Sequence, residues 1–494
     1  MSQLVVAPAQ PPRAAGIGKL LHRIRKNLRA GWLVTFPQKS TRERMIDLVI
    51  TMLILKTRHT IAAAAIYDGR DQDKNWTPDY RLFSTSSWSE RDLMRPCLEK
   101  GLSMLDPNSR WVTVAMDDVK VYKTGKKIPD TSIQRDSMSP PFHTNLRLAQ
   151  RFFHAALILP HYLQSPELRA RAIPVRFHLS PVLKKPGKKA TPEQRQEYKE
   201  RKKTHNLSGD AGVVIQEVRQ DMDRTGYASH ILLCAADGGY CNRNVFSSTA
   251  QIDRTRLLVR CRRDAVLAMP AAAGSRKVYS DDKFTPNQIR TDERHSWQSV
   301  EAFYAGRSRQ VEFKRVDNVL WQRGAKRTRL TLFVLKPLPY KPCRNGPTYY
   351  RDPAYLLTDA TDIPSHIAIQ SYLDRWQIEV AHRELKQNVG LGQGQVRNAR
   401  SVRRLPAAIA ASYSMMYLSA LEVYGPARTS DYRPLPAWRR DQARPTCQDI
   451  IDLLATQLQQ ERAAPGYRPP RRRTRPPVPR AKRAHLGACG APGT

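Results

Sequence analysis

Cysteine is sparse in this sequence, and the little there is has no binding or cross-linking arrangement. Seven Cys are scattered through 494 residues, none in a C-x-x-C pair or beside spaced histidines. That excludes a zinc finger or ribbon and leaves free thiols in a reducing compartment as the expectation. Long apolar runs are missing too. The two most apolar stretches, "MIDLVITMLIL" and "LPAAIAASYSMMYLSAL", fall short of the ~20 residues that span a bilayer and are interrupted by polar positions. The opening "MSQLVVAPAQPPRAAG" lacks the basic-then-apolar order of a signal peptide, so a cytosolic protein is expected. Acidic residues are scarce as well. Asp and Glu total 44 against 83 Lys and Arg, a net charge of +39. A polyanionic partner is the usual counterpart of such a charge, and nucleic acid is the commonest. A GC-rich coding sequence would also raise Arg, but here the basic residues are clustered as well as numerous.

With 40% hydrophobic residues, the chain has ample material for a core. Positions 1–15 read as a disordered N-terminus. Positions 16–107 read as a helical DNA-binding domain that opens with the basic amphipathic "GIGKLLHRIRKNLRAGW"; a scaffold domain or a membrane-surface helix are its competing readings. From 108 to 271 the period changes to that of strands: "RWVTVAMDDVKVYK", "RFFHAALILPHY" and "RAIPVRFHLSPVL", then "ASHILLCAADGGY" and "TRLLVRCRRDAVLAMP" as single strands. Between the third and fourth lies the basic "KKPGKKATPEQRQEYKERKK", where Thr191 and Pro192 mark a helix start, and a helix that ends at Gly226. Positions 272–363 read as an inserted β-rich domain with a hairpin around Arg323 and Gly324. Helices resume over 364–425 and in a C-terminal extension, 426–462, before a disordered basic tail, 463–494.

Three carboxylate positions stand out. Asp117 and Asp118 interrupt an apolar strand where charge is normally avoided. Asp237 ends another strand and is followed by two glycines that leave it accessible. In sheets with parallel strands, ligands gather at the carboxyl ends, so these positions can face one another. The third lies in "YLDRWQIEVAHRELK", read as one helix. With Tyr372 set at zero and 100° per residue, Arg375 falls at about 300°, Lys386 at about 320° and Glu379 at about 340°. His382, at about 280°, edges that stripe, while Glu384, at about 120°, points away. Trp376 and Val380 on one side, Ile378 and Val389 on the other, flank the stripe with apolar side chains. Such a helix turns Glu379 into a cleft. Two Asp and one Glu make an all-oxygen set suited to Mg²⁺ or Mn²⁺, and two such ions support in-line phosphodiester displacement.

These residues resemble a known family. Tyr372, Arg375, Glu379 and Lys386 match the Tyr-Arg-Glu-Lys signature of insertion-sequence DDE transposases. "MDDVKVYKTGKK" and "AADGGYCNRNVF" resemble the two Asp motifs of the DDE superfamily endonuclease branch, although Val119 stands where the pattern has Thr. The resemblance implies an α/β protein whose catalytic core is ribonuclease-H-like, a mixed sheet flanked by helices. It implies a catalytic triad of Asp117, Asp237 and Glu379 holding two ions, with Asp118 as the alternative first ligand. It further implies DNA contacts by Tyr372, Arg375 and Lys386; His382 and Arg383, on the same helix, are additional candidates for DNA contact. The separation of 142 positions from Asp237 to Glu379 matches the family's inserted β-domain, where Trp321 either supports a displaced base or packs in a core. The implied activity is cleavage at terminal inverted repeats of double-stranded DNA and strand transfer into target DNA, in a homodimeric complex, near the nucleoid of a bacterium. A catalytically inactive DNA-binding derivative and a nuclease without strand transfer are the alternatives.

Overall fold

The computed structural model describes residues 18–70, 77–136, 139–140, 142–341, 346–439 and 442–464. The ends expected to be disordered, 1–15 and 463–494, lie outside the described residues except at positions 463 and 464.

Helices come first: α1 (Lys19–Gly31), α2 (Lys39–Ile54), α3 (Ile61–Tyr67), α4 (Thr77–Ser84) and α5 (Glu90–Leu102). The basic α1 places Leu20, Leu21, Ile24 and Leu28 at helical spacing and buries all four, which confines its charges to the other face. Strands follow as β1 (Trp111–Tyr122), β2 (Ser132–Arg135), β3 (Leu146–Leu159) and β4 (Arg171–Leu179). Next come α6 (Pro192–Thr204), α7 (Leu207–Arg224), β5 (Ile231–Ala236), α8 (Arg243–Thr249) and β6 (Thr255–Arg260). Thr191 and Gln194 close a capping box at the start of α6, and Gly226 adopts φ 86° just beyond α7, a left-handed position that favours glycine. The chain continues through β7 (Leu267–Pro270), β8 (Tyr279–Phe284), α9 (Pro286–Thr291), β9 (Gln298–Tyr304), β10 (Arg307–Leu320) and β11 (Arg329–Leu335). A small pair, β12 (Pro339–Tyr340) and β13 (Tyr349–Tyr350), precedes β14 (Ala354–Thr358). Four helices complete the described chain: α10 (Ser365–Asp374), α11 (Gln377–Gln387), α12 (Ser401–Tyr424) and α13 (Cys447–Ala463).

Among the described residues, twelve strands form one mixed sheet. Strands β1, β5 and β6 run parallel, β3 is antiparallel to β1, and β4 is antiparallel to β3. The protein is therefore α/β, with a mixed sheet flanked by helices. Apart from the small β12–β13 pair, the strands of 272–363 do not form a sheet of their own. β14 pairs antiparallel with β6 on one side and with β11 on the other, so they continue the core sheet and cover the edge that β6 would otherwise expose. The hairpin of β10 and β11 brings Leu320 opposite Arg329 around the expected turn. The stretch "TRLLVRCRRDAVLAMP" is two strands, not one. It turns after Arg260, where Arg262 folds back on Asp264 with bonds of 2.9 and 2.7 Å.

One continuous apolar core joins the helices of 16–107 to the sheet and to α12 and α13. Leu20, Leu98, Val114, Leu232, Met416 and Leu454 all belong to it, so these first helices are built into the same body as the carboxylate-bearing strands. Arg25 adds an ion pair to Glu461 at 2.6 Å. The opposite face of the sheet is covered by α10 and α11, over Leu233, Leu258, Phe333 and Leu356 and over a patch of small residues, Ala115, Ala156 and Ala172.

Glu384 anchors α11 from behind. Its Oε2 accepts from the Tyr413 hydroxyl at 2.6 Å, the Tyr417 hydroxyl at 3.0 Å and the Arg171 guanidinium at 3.3 Å. Arg171 is buried, lies 3.9 Å over the Tyr417 ring and donates to the Pro445 carbonyl. Removing one member of a buried pair strands the other charge. Glu384→Ala should thus cost about 3–5 kcal/mol in urea unfolding, whereas Glu379→Ala, in a partly exposed pair, should cost about 1 kcal/mol or less. Equal losses for the two variants would contradict the anchoring role.

Candidate active site

The pleat of β1 separates its two aspartates. Successive side chains alternate between the faces of a strand, so Thr113, Ala115 and Asp117 share one. Thr113 Oγ1 meets Ser371 Oγ of α10 at 2.9 Å, and Ala115 packs with Ile378 and Ala381 of α11. Asp117 therefore lies on the face covered by the helix that carries Glu379. Asp118 takes the other face, where burial raises its carboxyl and Arg151 and Lys120 oppose the rise. Its backbone N–H donates to Asp117 Oδ1 at 2.8 Å, which fixes that carboxylate.

Asp237 follows the carboxyl end of β5, next to β1 in parallel register. Its Oδ1 accepts from the Gly239 N–H at 2.9 Å. A Cβ at position 239 would stand 3.1 Å from that oxygen, so glycine keeps the carboxylate open. Glu379 projects from the first turn of α11, and its Oε1 accepts from Arg375 at 3.0 Å. Burial raises the Asp117 carboxyl to about 7, with Asp237 adding to the rise and the Asp118 N–H and Arg375 opposing it. Burial also raises Glu379, opposed by Arg375 and reinforced by Asp237. Asp237 thus acts on both of the other carboxylates, and Arg375 is the cation that both feel.

Beside these groups opens a cleft of about 950 Å³, lined by Asp237, Tyr372, Arg375 and Glu379 among others. Tyr372 is half-buried, and its hydroxyl is raised by burial. Asp117 and the remaining predicted residues are not in the cleft's lining, though Lys386 is near enough to feel the Asp117 charge. His382 turns inward, and its Nε2 shares a 2.8 Å hydrogen bond with His154 Nδ1. His154 stands directly opposite Asp117 in the β1–β3 pairing. Burial holds His154 down at about 3 and His382 well below its ordinary value, so this pair is neutral. Lys386 sits 5.8 Å over the Tyr122 ring, one stretch of β1 beyond Asp117, with burial lowering its ammonium. Arg383 is exposed. Trp321 packs edge-on against Phe246 at 6.0 Å and covers Gly324, where a Cβ would overlap its ring.

The helix expected over 372–386 is two, α10 and α11, joined by a tightened turn. The Ile378 and Glu379 amides bond three residues back, to Arg375 and Trp376, instead of four. The turn swings Trp376 outward to 46% exposure, where the wheel predicts an apolar flank. Arg351 stacks over it at 5.3 Å. Arg351 and the cleft-lining Arg260, Arg262, Arg263 and Arg290 are the basic residues that sequence reasoning passed over. The signal was the run "RCRRD", hidden by reading it as strand interior.

Among the described residues no three His, Cys, Asp or Glu side chains stand close enough to ligate one ion as they are. The donor set nevertheless fits a hard divalent cation in its chemistry: carboxylates only, partly buried, mutually repelling, and balanced by an arginine. Among the same residues no helix is long and apolar enough to cross a membrane.

The raised Asp117 carboxyl has a testable cost. Its folded value, about 7, exceeds the unfolded one, so the fold binds the extra proton and loses stability as pH rises toward 7. In chelator-treated protein, Asp117→Asn should be more stable than wild type at pH 8 by on the order of a few kcal/mol and equal to it near pH 4. A variant no more stable at pH 8 would show that the carboxylate is not under this strain. No protein-family model matches the chain, and no curated protein matches it either.

Proposed function

We propose that the chain is a DNA transposase of the DDE type, which cleaves at transposon ends and joins them to target DNA. The observation that carries this reading is the convergence of Asp237 and Glu379, from distant parts of the chain, on one cleft with Tyr372 and Arg375, with Asp117 on the neighbouring parallel strand, on the face that α11 covers. The strand order β4-β3-β1-β5-β6, with β1, β5 and β6 parallel and β3 reversed, supports a ribonuclease-H-like core beneath it. The arginines along the cleft support a polyanionic substrate.

In this reading Asp117, Asp237 and Glu379 would hold two Mg²⁺ or Mn²⁺ ions, with Asp118 turned to the other face. The ions would supply the Lewis acidity that in-line phosphodiester displacement needs. Everything else falls to the chain. Arg375 exchanges Glu379 for a phosphate oxygen, freeing the carboxylate as the DNA arrives. The Tyr372 hydroxyl donates to the DNA at the rim, and Arg260, Arg262 and Arg263 set the register of the backbone without reading its sequence. Double-stranded terminal repeats and target DNA are the partners, and a homodimer pairs the ends. A DNA-binding protein without catalysis is the reading favoured by the ion pair that occupies Glu379.

Nicking separates the two. Wild-type protein with Mg²⁺ should nick a duplex carrying the cognate end, and Glu379→Gln should lose more than the ~100-fold that removal of a supporting group costs. Retention of cut ends and their joining to a target plasmid would distinguish transposition from simple nuclease action. Equal cleavage by the Gln variant would overturn the site.

A further inference from the structure

The loop and helix between β4 and α7 take no part in the cleft, and they are built for a different task. α6 packs on no other element beyond incidental contact, and none of its described side chains is buried. A 13-residue helix without packing is marginal in water, yet this one is preformed. The Thr191–Gln194 capping box and Pro192 at its first position start it, and Gln196–Glu200 at 2.8 Å and Glu197–Arg201 at 3.8 Å brace it.

Its charges are sorted. At 100° per residue, Arg195, Lys199, Lys202 and Lys203 share a stripe about 100° wide, while Glu193, Glu197 and Glu200 share a narrower one roughly opposite. Lys199, Lys202 and Lys203 are exposed. Arg195 also folds the preceding loop back along the helix, donating to the Lys188 carbonyl at 2.8 Å and the Ala190 carbonyl at 3.2 Å. That draws the part of the loop with the exposed Lys188 and Lys189 back along the helix, and the exposed Lys184 and Lys185 precede it in the same loop. Positions 184–203 carry nine basic side chains against three acidic ones.

We propose that α6 and the loop 184–190 form a clamp on the DNA phosphate backbone, a second contact surface apart from the carboxylate cleft. The inference rests on the DNA reading above and adds a site to it. The occupant follows from what the helix lacks. With Tyr198 as its one aromatic residue and no apolar face, α6 cannot insert in a membrane interface or form the apolar centre of a protein interface. Rows of cations on a rigid, uncovered rod suffice for phosphates, which are bound by charge and counterion release.

The test compares two triple variants of the full chain that change the net charge equally and in opposite senses. One is Lys199→Gln with Lys202→Gln and Lys203→Gln; the other is Glu193→Gln with Glu197→Gln and Glu200→Gln. All six positions are exposed, and circular dichroism checks that both variants fold. Binding to a duplex of arbitrary sequence is followed by fluorescence anisotropy across a salt series. The lysine variant should bind more weakly, with a log K against log salt slope shallower by about 2–3. The glutamate variant should keep the wild-type slope. An unchanged slope in the lysine variant, with wild type binding normally, overturns the clamp and leaves the cleft reading intact. Wild-type protein that does not bind duplex DNA overturns both. Tighter binding of wild type to anionic phospholipid vesicles than to duplex also overturns the clamp.

Discussion

A helix can present one glutamate to a cleft only if its other side is held, and in α11 that hold is Glu384. Two tyrosines of α12 and the buried Arg171 of β4 converge on its carboxylate. Glu379 lies five positions earlier, on the opposite side of the helix, with the sheet's small residues beneath. Ala115, Ala156 and Ala172 let the helix lie close, and the His154–His382 bond ties its next turn to the strand position facing Asp117. Loosening this support would move Glu379 relative to the two aspartates. The placement of the front-face carboxylates depends on packing at the back.

What the support maintains is an unfavourable arrangement. Asp117 and Glu379 are pushed toward their protonated forms by burial and by Asp237, and Arg375, joined by Arg351 at Glu379, offsets the repulsion. Buried like charges are costly to hold, and strain of this kind concentrates at working sites. The cleft's remaining arginines extend the positive field outward from that point, as the proposed DNA substrate requires. α6 would extend it on a separate surface.

Much of this was legible in the residues, and the misses have physical causes. Runs rich in β-branched and aromatic residues marked β1, β3 and β4, a continuous apolar run marked β5, and the 3.6-residue period correctly turned Glu384 away from Glu379. Which of Asp117 and Asp118 faces the helix was not legible, because side-chain direction in a strand is defined only by what packs on each face. The tightened turn at Arg375 and Trp376 was hidden as well, since it arises where α10 and α11 meet the sheet and no Gly or Pro announces it. His382 looked like a stripe residue until His154, 228 positions away, supplied its partner. The strands of 272–363 read as a separate unit because local pattern cannot show that β14 closes on β6.

The central claim is that Asp117, Asp237 and Glu379 make one cation site. It is tested most directly by replacing Mg²⁺ with Fe²⁺ in the full chain and letting ascorbate and peroxide cut the polypeptide wherever the metal sits. Cleavage clustered near positions 117, 237 and 379 together, suppressed by excess Mg²⁺ and lost in Asp237→Asn, is the result this account predicts. Cleavage absent from these positions, or unaffected by Asp237→Asn, would contradict it.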